Sequence, residues 1–326
     1  LTIEGDLYGE GPTLFHKGLG HLGAFGAVWS HGAVLTPYQE CTAGYEPDVR
    51  LKQMDTDGTD ATFLYPSVGL VLGGLKEPEV AFAVYRAYNR WLAEFCSTNP
   101  KRLHGVGMLP MRSVDLAIQE LRFCRKELGM RAVMVRPNPC HGVLLHDRVY
   151  EPLWKEMVNL DVCLAVHSGS ASDMETLGTD RFDSPMRRHI VSHSWEMMSA
   201  MLSLVYAGVC DRHPELRVGF LEGGAGWVPG WLDRMDRHFD KVVTDDRPSV
   251  RPTEIFKRQC WTTFDPGEKT ISFVADFLGA DRLLYASDYP HADGVPNAVR
   301  VVDDKPGLDR EAKRLFFAEN AKAYYR

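Results

Sequence analysis

The chain has 326 residues, 44% of them hydrophobic and 25% charged, with a formal net charge of −7. That composition suits a globular protein with material for a large core. With no basic patch it makes nucleic acid and anionic membrane surfaces poor partners. No apolar run approaches the roughly 20 residues of a membrane span, and residues 1–6 lack the basic and apolar regions of a signal peptide.

In chain order, residues 1–46 are Gly-rich, with scattered aromatics and no sustained period. They read as an irregular N-terminal excursion with one hairpin, ahead of a single domain over 47–326. The spacing predicts a short amphipathic helix over 48–57, with Leu51 and Met54 on one side. Short apolar runs bounded by Pro, Gly or charge then predict buried parallel strands at 61–65, 103–109, 132–136, 162–166, 216–221, 259–264 and 283–286. Helical spacing predicts helices at 79–98, 114–128, 149–160, 195–210, 227–239, 269–278 and 310–325.

Strand–helix alternation of this kind builds a parallel sheet with right-handed crossovers. A doubly wound sheet would advertise a Gly-rich nucleotide loop after its first strand; Gly9-x-Gly11 lacks the third Gly. A (β/α)₈ TIM barrel is the better fit, with a first strand that lies within residues 1–46 or upstream of Leu1. Two connections are long. The polar stretch 168–192 starts on the expected active face and reads as a substrate loop. The charged stretch 240–254 precedes a strand and reads as structural.

In such folds the carboxyl ends of the strands converge on the ligand-binding face. His167 ends one strand and Asp288 ends the last, a pairing that points to a metal site. An Asp there can ligate a metal and take the proton of its water; its alternative role is to cap the turn before Tyr289-Pro290. His291 is near enough to join the site or to orient Asp288. Glu222 precedes Gly223-Gly224-Ala225-Gly226 and is a candidate ligand, general base or partner to an imidazole. The helix starting near Trp227 offers N–H groups beside it, although the glycines can equally serve tight packing. His189 and His193 are four apart and share a face if helical; otherwise His193 is a loop residue before the long helix. Arg136, followed by Pro137-Asn138-Pro139, can clamp a substrate carboxylate or join a rim ion pair.

The seven cysteines form no CxxC pair. They read as reduced, mostly buried thiols of a cytoplasmic protein.

Three segments together, 216–227 (LRVGFLEGGAGW), 286–291 (ASDYPH) and 134–139 (MVRPNP), resemble the amidohydrolase-2 family of the amidohydrolase superfamily. That family includes relatives of aminocarboxymuconate-semialdehyde decarboxylase. The likeness runs from about Pro47 to the C-terminus. It implies a barrel with one divalent metal, Zn²⁺ first and Mn²⁺ second, held by His167 and Asp288. Asp288 also matches the family's proton acceptor; from their own placement Glu222 and His193 are read as further catalytic residues, and Arg136, Asn138 and His291 as substrate contacts. Glu222 stands where the best-known decarboxylases have a strand-six histidine. The family's strand-one His/Asp/Glu-x-His pair is not visible, which implies that strand one and its ligands lie outside this chain.

The reading put first is a metal-dependent hydrolase of a small organic substrate, in which Asp288 takes a proton from a metal-activated water. The alternative is non-oxidative decarboxylation of an aromatic or enol acid, with Glu222 or His193 protonating carbon. A non-catalytic barrel is the third. The apolar helix faces are compatible with a homodimer.

Overall fold

The computed structural model describes residues 42–326 apart from 67, 170–173, 242, 245–246, 290–293 and 296, together with short backbone stretches before residue 42. Those earlier stretches are two antiparallel pairs, Thr2–Ile3 with Asp6–Leu7 and Val28–Ser30 with Val34–Thr36. The expected first barrel strand falls outside the described residues.

Among the described residues the barrel wall is a run of parallel strands in chain order: β1 (Thr62–Leu64), β2 (Leu103–Gly105, continued by Gly107–Met108), β3 (Ala132–Val135), β4 (Cys163–His167), β5 (Val218–Leu221), β6 (Cys260–Phe264) and β7 (Leu283–Tyr285). Each pairs in parallel with the next. At Val106, between the two parts of β2, the backbone N–H still donates to the Leu64 carbonyl at 3.1 Å. All seven strands lie within two residues of the spans read from sequence. Runs buried on both faces and bounded by breakers leave a chain few other choices.

The period of two along a strand sorts the side chains into two cores. Val133, Val135, Leu164, Val166, Val218 and Phe220 pack outward against helices. Ala132, Met134, Cys163, Ala165, Leu221, Trp261 and Leu284 pack inward. By the same alternation Arg136 and His167 continue the inward rows of β3 and β4.

The helices covering the wall are α1 (Pro47–Asp57), α2 (Pro78–Ser97), α3 (Val114–Lys126), α4 (Glu151–Leu160), α5 (Pro185–Met201), α6 (Val228–Lys241), α7 (Pro252–Gln259), α8 (Ile271–Leu278) and the C-terminal α9 (Asn320–Tyr325). One boundary corrects the sequence reading. The helix expected to start at residue 195 starts ten residues earlier, because the Ser184 hydroxyl caps it by accepting from Arg187 N and Pro185 opens it. The last eight residues of the long 168–192 connection are therefore helix. In the second long connection Pro252 likewise opens α7 before residue 254.

Four inward positions on β3 to β5 are small (Ala132, Cys163, Ala165 and Gly219), and an aromatic from the chain's end fills the space they leave. Tyr324 is fully buried; its hydroxyl donates to the Leu164 carbonyl at 2.8 Å, and Arg217 Nε donates to its carbonyl at 2.8 Å. A Cβ on Gly219 would sit 2.6 Å from the Tyr324 hydroxyl, so only glycine admits that ring. The cysteines among the described residues are free thiols, mostly buried, as read from sequence. Burial pushes the Cys163 and Cys96 thiols up to about 12.

Candidate active site

Strand register builds the centre of the site. His167, the last residue of β4, pairs directly with Leu221 of β5. Glu222 is the next residue, and there the backbone turns into the left-handed region at φ 59°, a conformation that costs a non-glycine residue of order 1 kcal/mol. The turn is held from both sides. Ser168 Oγ donates to the Glu222 carbonyl at 2.7 Å, and Glu222 N donates to Thr263 Oγ1 at 2.9 Å. The Glu222 carboxylate is thereby directed back across the rim, with Oε2 2.8 Å from His167 Nε2 and Oε1 3.7 Å from His193 Nε2.

Both imidazoles are oriented from behind. His167 Nδ1 donates to the Ser168 carbonyl at 2.8 Å. With Nε2 also at hydrogen-bond distance from a carboxylate, the arrangement calls for a proton on each ring nitrogen, or for one on Glu222. His193 lies on α5, not in a loop; its Nδ1 donates to the His189 carbonyl one turn back at 3.0 Å, which turns Nε2 toward Glu222. The His189 ring packs tilted against that of His193, 3.9 Å between centroids, so the pair does share a helix face. Burial alone would raise the Glu222 carboxyl, but His167 and then His193 outweigh it and hold it well below the usual carboxylate range.

Arg136 and Asn138 are buried beside this centre. The Arg136 guanidinium donates to the carbonyls of Leu70, at 3.2 Å, and Gly169, and to Asn138 Oδ1 at 3.1 Å. A Cβ on Gly169 would lie 2.5 Å from the guanidinium, so the glycine permits this close approach. Asn138 Nδ2 donates to the Glu175 carbonyl at 3.0 Å. Much of the expected carboxylate clamp thus ties the loop after β4 to the rim, while Arg136 Nε is buried without a hydrogen-bond partner. Desolvation lowers the Arg136 pKa to about 10, against the raising influence of Glu222 and Glu196.

Asp288 lies just beyond β7 on the same carboxyl rim, with φ 52° and one carboxyl oxygen shielded from solvent. Next to it the Tyr289 ring lies under the Arg50 guanidinium at 4.6 Å. His291 falls outside the described residues.

Three features escaped the sequence reading. Glu196 on α5 is buried, its carboxylate accepts from Leu177 N at 2.5 Å, and burial raises its pKa. The signal was the three-residue spacing from His193, which puts both on one helix face. Glu268 occupies the backbone donors after Glu222: its carboxylate accepts from Ala225, Gly226 and Asp265 N–H groups at 2.8–3.1 Å. The anion cradle offered by the glycine run is therefore filled from within the chain. Tyr65 is the third; its ring stacks on the His167 imidazole at 5.3 Å.

Two imidazoles and a carboxylate are donors suited to a divalent first-row metal. As the side chains stand, Glu222 bridges the two rings, and among the described residues no group of three His, Cys, Asp or Glu is already spread to hold a metal. A cation entering here would compete with a proton for the His167–Glu222 pair.

The Amidohydrolase family model of the amidohydrolase-2 branch covers residues 42–326, and the chain belongs to that family. It is an enzyme of the amidohydrolase superfamily. Among its relatives is the 2-amino-3-carboxymuconate-6-semialdehyde decarboxylase of Dictyostelium discoideum, 28% identical over 253 residues that span 76% of this chain and 67% of that protein. Another is the gamma-resorcylate decarboxylase of Rhizobium radiobacter, 28% identical over 289 residues, 82% of this chain and 86% of the relative. The fold is shared with the dihydroxybenzoic acid decarboxylase of Polaromonas sp. JS666, solved with bound manganese and the inhibitor 2-nitroresorcinol. That match has a TM-score of 0.70 at 22% identity and covers 85% of each chain.

Proposed function

We propose that this enzyme is a metal-dependent, non-oxidative decarboxylase of a small aromatic or enol carboxylic acid. The observation that carries the reading is the half-buried Glu222 carboxylate set between His167 and His193, a cluster suited to hold a proton away from bulk water. Decarboxylation needs such a group. The bond between the carboxyl carbon and the ring or enol carbon breaks, its electron pair stays on that carbon, and the carbon takes a proton as CO₂ leaves. In this reading His193 or Glu222 delivers the proton, and Ser168 and Thr263 fix the Glu222 backbone turn that aims the carboxylate. Arg136 supplies a fixed positive charge and, with Asn138, holds the loop after β4 over the substrate; His291 is a further substrate contact. A divalent cation held by His167 and Asp288 would supply the charge against which the substrate's oxygens are fixed. Mn²⁺ is favoured by the manganese bound in the Polaromonas enzyme; Zn²⁺ is the other candidate. No helix among the described residues is long and apolar enough to cross a membrane, and the free thiols favour a cytoplasmic location.

Hydrolysis, put first on sequence grounds, takes second place. It rests on the rim position of Asp288, where a carboxylate can accept a proton from an attacking water. Metal-loaded enzyme incubated with 2,6-dihydroxybenzoate, related hydroxybenzoates, amides and lactones separates the two. Release of CO₂ from an acid, abolished by chelation and restored by Mn²⁺ or Zn²⁺, is the expected result. Cleavage of amides or lactones with no CO₂ from any acid would overturn it.

A further inference from the structure

His167 has two in-plane hydrogen bonds, Nδ1 to the Ser168 carbonyl and Nε2 to Glu222. These fix a line through the ring but leave the ring free to roll about it. The roll is stopped by a face contact, the Tyr65 ring stacked at 5.3 Å and 26°. Tyr65 stands one residue beyond β1, and its hydroxyl lies 2.6 Å from the hydroxyl of Tyr325, the penultimate residue of the chain. Tyr325 is itself pinned. Its ring stacks on Phe63 of β1 at 3.4 Å and 7°, Phe63 stacks in turn on His104 at 4.8 Å, and the adjacent Tyr324 is anchored to β4 and to Arg217. The C-terminal end of the chain is thus connected to the His167 imidazole by a column of packed rings and a single hydroxyl pair.

We propose that Tyr325, acting through Tyr65, is a positioning residue that sets the plane of the His167 imidazole. Burial keeps both phenols protonated at any physiological pH, so the pair is a neutral hydrogen bond that does not switch. Turnover effects of the column rest on the function proposed above; the orientation of His167 does not.

The test uses the full chain with Tyr325→Phe, Tyr65→Phe and the double variant. Tyr325→Phe keeps the stack on Phe63 and removes only the hydroxyl pair. Imidazole ¹H–¹⁵N spectra, with the His167 signals assigned by His167→Gln, read the ring directly, and Mn²⁺ titration followed by EPR reads the site as a ligand. Each single variant is expected to shift or broaden the His167 signals and to weaken Mn²⁺ binding about 10-fold, the usual effect of losing an orienting partner. On an active substrate kcat should fall more than KM rises. The double variant should match the singles, because both remove one interaction. Unchanged His167 signals and unchanged Mn²⁺ affinity in Tyr325→Phe would overturn the proposal, even if the variant were less stable. Altered His167 signals without turnover on any substrate would support it while counting against the proposed decarboxylation. If Tyr325→Phe does not fold, Tyr65→Phe gives the same readings.

Discussion

Replacing Glu222 by Gln keeps the side chain's shape and removes its charge. In the native site the carboxylate lies 2.8 Å from His167 Nε2, with side-chain exposures of 15% and 9%. Removing one member of a buried pair typically costs about 3–5 kcal/mol, since the other is left without its counter-charge. The residual exposure places this pair near the lower end, about 3 kcal/mol. An unfolding entropy of about 2.1 cal/mol/K per residue amounts to roughly 0.7 kcal/mol/K for this chain, so the expected drop in Tm is about 4 °C at pH 7. The pH dependence has a definite sign. A carboxyl held below its unfolded value, which is about 4.3, contributes stability that is full above that value and disappears as pH falls through the depressed one. Calorimetry of wild type and variant from pH 7 to pH 3 should therefore show Tm curves that converge on acidification. A variant as stable as wild type at pH 7, or a gap that widens toward acid, would refute the assignment of Glu222 as the counter-charge of His167.

Gly219→Ala places a Cβ 2.6 Å from the Tyr324 hydroxyl and 2.8 Å from its ring carbon; it should lose about 1–3 kcal/mol in urea unfolding, and most of that loss should vanish in a Tyr324→Leu background. Glu151 at the start of α4 accepts from Arg212 and from His213, the latter at 2.8 Å. Burial raises its carboxyl, but the His213 and Arg212 hydrogen bonds outweigh burial and lower it. Glu151→Gln should cost about 1–2 kcal/mol at pH 7 in urea titrations, discounted for partial exposure, and close to nothing once the pH lies below the depressed carboxyl value.

The barrel was legible because its signals are local. Runs such as Val162-Cys163-Leu164-Ala165-Val166 can be buried strands and little else, and the same run places His167 at the carboxyl rim. The family resemblance rested on segments that the fold brings to that rim: Glu222 after β5, Asp288 after β7, Arg136 after β3. The choice of partners was not legible. Glu222 meets His167 because Leu221 and His167 share a register, which no periodicity within either segment announces. Glu268 filling the glycine cradle and Tyr325 reaching Tyr65 are likewise contacts between distant segments. The start of α5 was legible in Ser184-Pro185 but hidden by the polar composition around it, and with it the helical setting of His193 and Glu196. The preference for hydrolysis over decarboxylation followed from Glu222 replacing a histidine. The relatives weigh the other way, since those named above are decarboxylases.

In the proposed reaction the decisive step is transfer to carbon of a proton held by Glu222 and His193. It is tested most directly by turning over a ¹³C-carboxyl-labelled hydroxybenzoate in D₂O and in H₂¹⁸O. The expected products are ¹³CO₂ and an arene carrying one deuterium at the vacated carbon, with no ¹⁸O in the aromatic product. An ¹⁸O-labelled product that retains its ¹³C-carboxyl would contradict it.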